Sequence, residues 1–162
     1  MYGIVAGLIT ALWLIINFSV LDSNFELAEF FGYASMIIAF STIFFAVRSI
    51  RTKNGGNITF GKAFQIGLGI TLTATVIYII AWMIISNTIA KDFMDQYVTQ
   101  SIEKLQISGI DQAEIDKKII KLNQMKEMYK NPLVKIGMTF LEIFPVGFLV
   151  TLISAFLLKK NN

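Results

Sequence analysis

Glu142, Pro145 and Gly147 share the stretch TFLEIFPVGFL (residues 139–149), inside an apolar run from Ile136 to Leu158 that carries no other charge. A carboxyl group in such a run can move one proton, serve a ligand site, or join two helices by hydrogen bonds. Acids at membrane depth are rare, face protein or water, and mark a pathway or a paired polar network. Counted from Leu133, Glu142 lies about 13 Å along its helix at about 1.5 Å per residue. Proline cannot donate to the carbonyl of Leu141, so the helix is expected to kink and to leave an acceptor beside the carboxyl group. Gly147 would let a neighbouring helix close in at the bend. Thr75 and Tyr78 run to a similar depth from the same end, and Ser41 and Thr42 are also within reach. The neutral acid is the low-cost state in apolar surroundings, and it would donate to one of these hydroxyls or to the freed carbonyl. Two roles stay open: a proton or ligand site, and a hydrogen-bonded packing lock.

Other chemistries are poorly supplied. The chain has no cysteine and no histidine, which removes disulfides, thiolate nucleophiles, the usual general base and the commonest metal ligand. One membrane carboxylate without a second titratable partner leaves no acid and base pair, so no enzymatic activity, metal or cofactor is expected. GNITFGKA (residues 56–63) approaches the phosphate-cradling pattern G-x-x-x-x-G-K-[ST]. It fails at Ala63, which replaces the magnesium-binding hydroxyl, and no buried strand precedes the glycines. Neither nucleotide nor nucleic acid is an expected partner. The segment reads instead as a turn at Asn54-Gly55-Gly56 leading into a helix.

The elements that must position Glu142 follow from composition. The chain has 162 residues, 55% hydrophobic and 15% charged, against about 25% charged in soluble domains. The apolar residues form blocks, and crossing about 30 Å of hydrocarbon takes about 20 helical residues. Spans are expected at about 2–21, 30–47, 63–86 and 134–158. Backbone groups find no partners in lipid, so these are helices. The fold class is an all-α integral membrane protein of four transmembrane helices in a single domain, residues 1–162. The first block lacks a basic leader and a cleavage site, so it is read as a span and not as a signal peptide.

Charges orient the chain. Arg48, Arg51, Lys53 and Lys62 occupy a link without acids, and the chain ends near Lys159 and Lys160. Such an excess marks the cytoplasmic side, and these four cations would also anchor the inner loop to anionic lipid. Asp22, Glu26 and Glu29 lie between the first two spans, and residues 91–130 balance seven lysines against seven acids. Both links are read as outside, with both termini cytoplasmic.

Residues 87–131 are expected to form an outer helical hairpin between helices 3 and 4. Met94, Val98, Ile102 and Leu105 recur at helical spacing, so the third span is expected to continue outward to Ile107. Gly109 would end it in a left-handed cap. Asp111 as N-cap, Glu114 closing a capping box, and Ile110 stapled to Ile115 restart the chain, with a stripe at Ile115, Ile119, Leu122, Met125 and Tyr129. Asn131-Pro132 ends the second helix. Two helices of about 20 residues, each about 30 Å long, would result. Gly3 and Gly7 form a small-residue pair that suits either a homodimer face or packing inside the bundle, and Gly69 and Thr73 offer a second such contact.

NITFGKAFQIGLGIT (residues 57–71) and YKNPLVKIGMTFLEIFPVGFLVTLISAFLLKK (residues 129–160) resemble the bacterial membrane proteins of the domain of unknown function 4199 family. The pattern E-x-F-P-x-G at Glu142, Phe144, Pro145 and Gly147 is the most specific part. The resemblance covers nearly the whole chain and implies a small four-span protein without an assigned activity. It departs at the start, where such proteins often carry a short basic leader. The expected protein is thus a non-enzymatic component of the bacterial inner membrane. It would be an interaction or scaffold protein whose outer hairpin binds a partner protein or rests on the membrane surface, with the bilayer, a protein or a second copy of the chain as its partners. The alternative is a small oligomeric transporter or proton-coupled carrier using Glu142.

Overall fold

The computed structural model describes residues 1–20 and 25–160, and the described residues form six helices: α1 (Tyr2–Val20), α2 (Phe25–Lys53), α3 (Phe60–Thr88), α4 (Phe93–Ile107), α5 (Gln112–Tyr129) and α6 (Pro132–Leu158). Leu21 and Asp22, which entered the span and charge readings above, lie outside the described residues, as does the Glu26 side chain. The class is all-α. Three helices, within α2, α3 and α6, are long and apolar enough to cross a membrane; α1 is apolar but shorter. At about 1.5 Å per residue, α3 is about 43 Å long and α6 about 40 Å.

The four long helices form a bundle in which α1 and α6 each pack on both α2 and α3, and α2 and α3 touch across the middle. Small residues set the distances. A methyl group built on Gly3 would lie 2.8 Å from the Cβ of Thr73, and one on Gly7 2.8 Å from the Cβ of Ile77, so α1 runs parallel to α3 and the glycine pair is filled by packing inside the bundle. Gly69, expected as a second contact, has open space where its side chain would be. Phe40, Ile43, Val47 and Ile143 are fully buried at the centre. Outward, Ile4, Leu8, Leu12 and Ile15 on α1, Val76, Ile80 and Ile84 on α3, and Leu141, Leu149 and Ile153 on α6 are exposed, which gives the bundle an apolar exterior suited to lipid.

The basic end is tied together. Gly55 and Gly56 take φ of 68° and 89°, values that favour glycine, and let the chain turn after α2. Arg51 Nε donates to the carbonyl of Gly56 at 2.8 Å, and Thr59 caps α3 by accepting from the Lys62 amide. Ile58 and Lys160 then exchange both backbone bonds, at 3.1 and 2.9 Å. Arg48, Arg51, Lys53, Lys62, Lys159 and Lys160 therefore gather at one end.

At the other end the expected continuous helix is interrupted. α3 stops at Thr88, and α4 begins at Phe93. The Ile85 carbonyl accepts from both Ile89 and Ala90, and the Phe93 amide bonds Ala90. The break turns Phe93 inward against Trp82 and Phe18, at ring separations of 5.0 and 5.7 Å. Burying that ring competes with four more residues of helix, and it wins. The hairpin helices are accordingly shorter than expected, 15 and 18 residues. Two expected features of its turn are present: Gly109 has φ 71° and the Asp111 carboxylate caps α5 by accepting from the Ala113 amide; Val98 of α4 and Ile115 of α5 are both buried. Lys126 and Asp95 pair across the hairpin.

Candidate functional site

Tyr78 and Trp82 are one turn apart on α3, so both present side chains to the same face. The Tyr78 hydroxyl donates to Oε1 of Glu142 at 2.9 Å, which joins α3 to α6. The expected partnership of Glu142 with Tyr78 is therefore present. Glu142 is otherwise exposed, and the space it faces is a cavity. α6 continues as helix through Pro145 to Leu158.

The neighbouring expectations divide. Gly147 does admit its neighbour: a methyl group there would lie 2.6 Å from Thr71 Cγ2 and 2.7 Å from Phe40 Cζ. Thr75 is not a partner of Glu142. It is 1% exposed, and its hydroxyl has no hydrogen-bond partner among the described residues. Ser41 and Thr42 also turn away, donating to the carbonyls of Ile38 and Ala39 in their own helix. Both have a local acceptor one turn back, which is cheaper than reaching across the bundle. A threonine pair does bridge α3 and α6, Thr71 to Thr151, at 3.0 Å.

The cavity has a volume of about 530 Å³, within the usual range of small-molecule sites. Its floor is Glu142, Tyr78 and Met36, one wall is Trp13 and Gly32, and its roof is the base of the hairpin through Asp92, Phe93 and Tyr129. Trp82 Nε1 donates to the Tyr129 hydroxyl at 2.6 Å, which locks the roof to the bundle. Since an indole nitrogen can only donate, the tyrosine must accept there. Burial pushes the Tyr129 hydroxyl up to about 12, with the Trp82 hydrogen bond opposing and the Glu142 charge adding. Just behind, Lys135 Nζ sits 5.1 Å from the centre of the Tyr129 ring and donates to Ser86 at 3.2 Å.

Sequence reasoning found Glu142 and Tyr78 but not the cavity. Trp82, Phe93 and Tyr97 lie in sequence at the hairpin's start and Tyr129 at its end, and that is the signal that could have marked it. Such residues read equally well as an interfacial aromatic belt. Among the described residues, no group of three His, Cys, Asp or Glu side chains is placed to hold a metal ion.

No curated protein and no solved structure matches the chain. A family model does match, over residues 1–160, and so the chain belongs to the family described as Protein of unknown function (DUF4199).

Proposed function

We propose that the protein is a non-enzymatic, membrane-embedded receptor for a small molecule, with the hairpin as the roof of its binding cavity. The observation that carries this reading is the cavity of about 530 Å³ with Glu142 open to it. A hairpin serving only to reach a partner has no need to lock its base to the bundle through Trp82 and Tyr129.

The reading includes a topology: four spans, a bacterial inner membrane, both termini cytoplasmic, and the hairpin outside. Supporting it, α1 exposes Ile4, Leu8, Leu12 and Ile15 much as the longer helices expose their own apolar faces, and the cations gather at the end opposite the hairpin. There Arg48, Arg51, Lys53 and Lys62 would meet anionic headgroups. A cysteine at Gly109 should then react with an impermeant reagent in spheroplasts, and one at Gly55 only after lysis. The reverse labelling would refute the topology.

Two other readings keep a footing. Ile107, 86% exposed beside the hairpin turn, would suit a scaffold that docks a protein partner there. A carrier using Glu142 would need a second conformation, since Phe40, Thr71 and Gly147 close the bundle below the cavity.

The receptor reading is tested with N-phenyl-1-naphthylamine, a neutral dye that brightens in apolar sites. A methyl group on Gly32 would meet only Trp13 Nε1, at 3.9 Å, so Gly32→Phe places a ring in the cavity. Saturable, one-to-one dye binding by the wild type, lost in a folded Gly32→Phe protein, is the expected result. Equal dye signals from both proteins would refute the cavity as a binding site.

A further inference from the structure

The chemical character of the cavity is one-sided. Glu29, Asp92 and Glu142 line it, and no lysine or arginine does among the described residues. Anionic ligands would meet three carboxylates without a counter-ion. A bare metal ion is equally unsuited, because it needs several oxygens converging on one point and, among the described residues, no three acids converge. The acidic lining favours a cation, and the apolar lining favours one that brings its own apolar surface.

The walls fit that description. Trp13, Trp82, Tyr33, Tyr78 and Tyr129 all line the cavity, and aromatic rings attract ammonium groups, indole most strongly. Behind the roof the protein already uses this contact, with the Lys135 ammonium over the Tyr129 ring. Glu142 is held in place by Tyr78. Among the described residues that hydroxyl is its one hydrogen-bond partner, which leaves the rest of the carboxylate facing the cavity.

We propose that the cavity binds an organic ammonium ion with an apolar body, its charge set against Glu142 and its body between the aromatic walls. This rests on the receptor reading and adds the ligand's chemistry to it.

Both tryptophans of the chain, Trp13 and Trp82, line the cavity, so intrinsic fluorescence reports occupancy directly. The test titrates benzyltrimethylammonium and its uncharged carbon isostere neopentylbenzene into the full-length protein in a non-ionic detergent. The cation should give a saturable fluorescence change and bind about 30-fold tighter than the isostere, the scale of one desolvated ammonium contact. Glu142→Gln, shown to be folded by its thermal unfolding, should lose most of the preference for charge. If the isostere binds as tightly as the cation, or the cation gives no response in protein that still binds the dye, the ammonium proposal is wrong and the receptor stands. A charge preference unchanged in Glu142→Gln removes Glu142 as the counter-ion and overturns the assignment. Failure of all three probes on wild-type protein overturns the proposal and the receptor reading together.

Discussion

The basic half of the bundle and the hairpin half are built from the same helices and differ in what meets between them. In the basic half, Gly67 faces Thr151 and Ile43 with no room for a methyl group, and Gly147 faces Thr71 and Phe40 in the same way. Small side chains at those positions let α2, α3 and α6 close on one another, and the Thr71–Thr151 bond lies within that contact. In the hairpin half the residues between the helices are Trp13, Trp82, Tyr78 and Met36, and around them lies the cavity. Rigid rings hold helices apart unless every gap is filled. A four-helix bundle can thus be solid at one end and hollow at the other without any change in topology.

The largest effect should come from crowding the solid half. Gly147→Ala puts a methyl group 2.6 Å from Thr71 Cγ2, and overpacking of this kind costs about 1–3 kcal/mol. Thermal unfolding in detergent measures it. A Gly147→Ala protein as stable as the wild type would mean the helices part easily, and the contrast between the two halves would collapse.

A matched pair of threonines comes next. Thr71→Val strands the hydroxyl of Thr151 in the core and should lose about 0.6–2 kcal/mol, the scale of interhelical hydrogen bonds in membranes. Thr75→Val, one turn toward the cavity, removes a buried hydroxyl without a partner. It should leave stability unchanged or raise it by about 1 kcal/mol, because the unmet polar group is itself the cost. If Thr75→Val is the more damaging of the two, that hydroxyl has a partner after all, and the contrast between the two threonines fails.

How far each half could be read from sequence follows from the same contrast. Gly147, the pair of Tyr78 and Glu142, and the hairpin turn at Gly109 and Asp111 rest on residues whose type dictates local geometry. Depth counting was enough to match Tyr78 with Glu142 because helical rise is constant. Thr75, Ser41 and Thr42 pass the same depth test and miss, since depth does not fix which way a side chain turns around the helix. The interruption after Thr88 was also hidden: residues 87–95 contain neither glycine nor proline, and the chain breaks there to bury Phe93 in a cluster assembled from α1, α3 and α5. Cavities of that origin depend on distant residues and leave no periodic trace.

A smaller effect of opposite sign is expected in the hollow half. Gly32 lies inside α2, where glycine costs about 0.5–1 kcal/mol relative to alanine. With 3.9 Å to its nearest neighbour, Gly32→Ala should recover that amount, and the identical substitution at Gly147 should do the reverse. Two substitutions of one kind with opposite signs in the same unfolding assay would place the boundary between the halves. Equal signs would erase it.

The smallest effect concerns the hairpin's own closure. Lys126 pairs with Asp95 across α4 and α5, and that hydrogen bond and charge raise the lysine above its ordinary value of 10.5. A raised folded-state value means the contribution is fully present below the unfolded value. It is lost only as pH rises through the higher folded one, so hairpin protection should be flat through neutral pH and fall above about pH 10.5. The pair is solvent-facing, and salt should weaken it as well. Hydrogen exchange read separately for α4–α5 and for the α3–α6 contact tests this. Lys126→Met should speed exchange in the hairpin modestly and remove its dependence on salt, with the amides around Gly67 and Gly147 unchanged. If exchange around Gly147 also quickens, the hairpin and the solid half open as one unit; the roof of the cavity could not then move without unfolding the floor, and a ligand would have to enter between the helices.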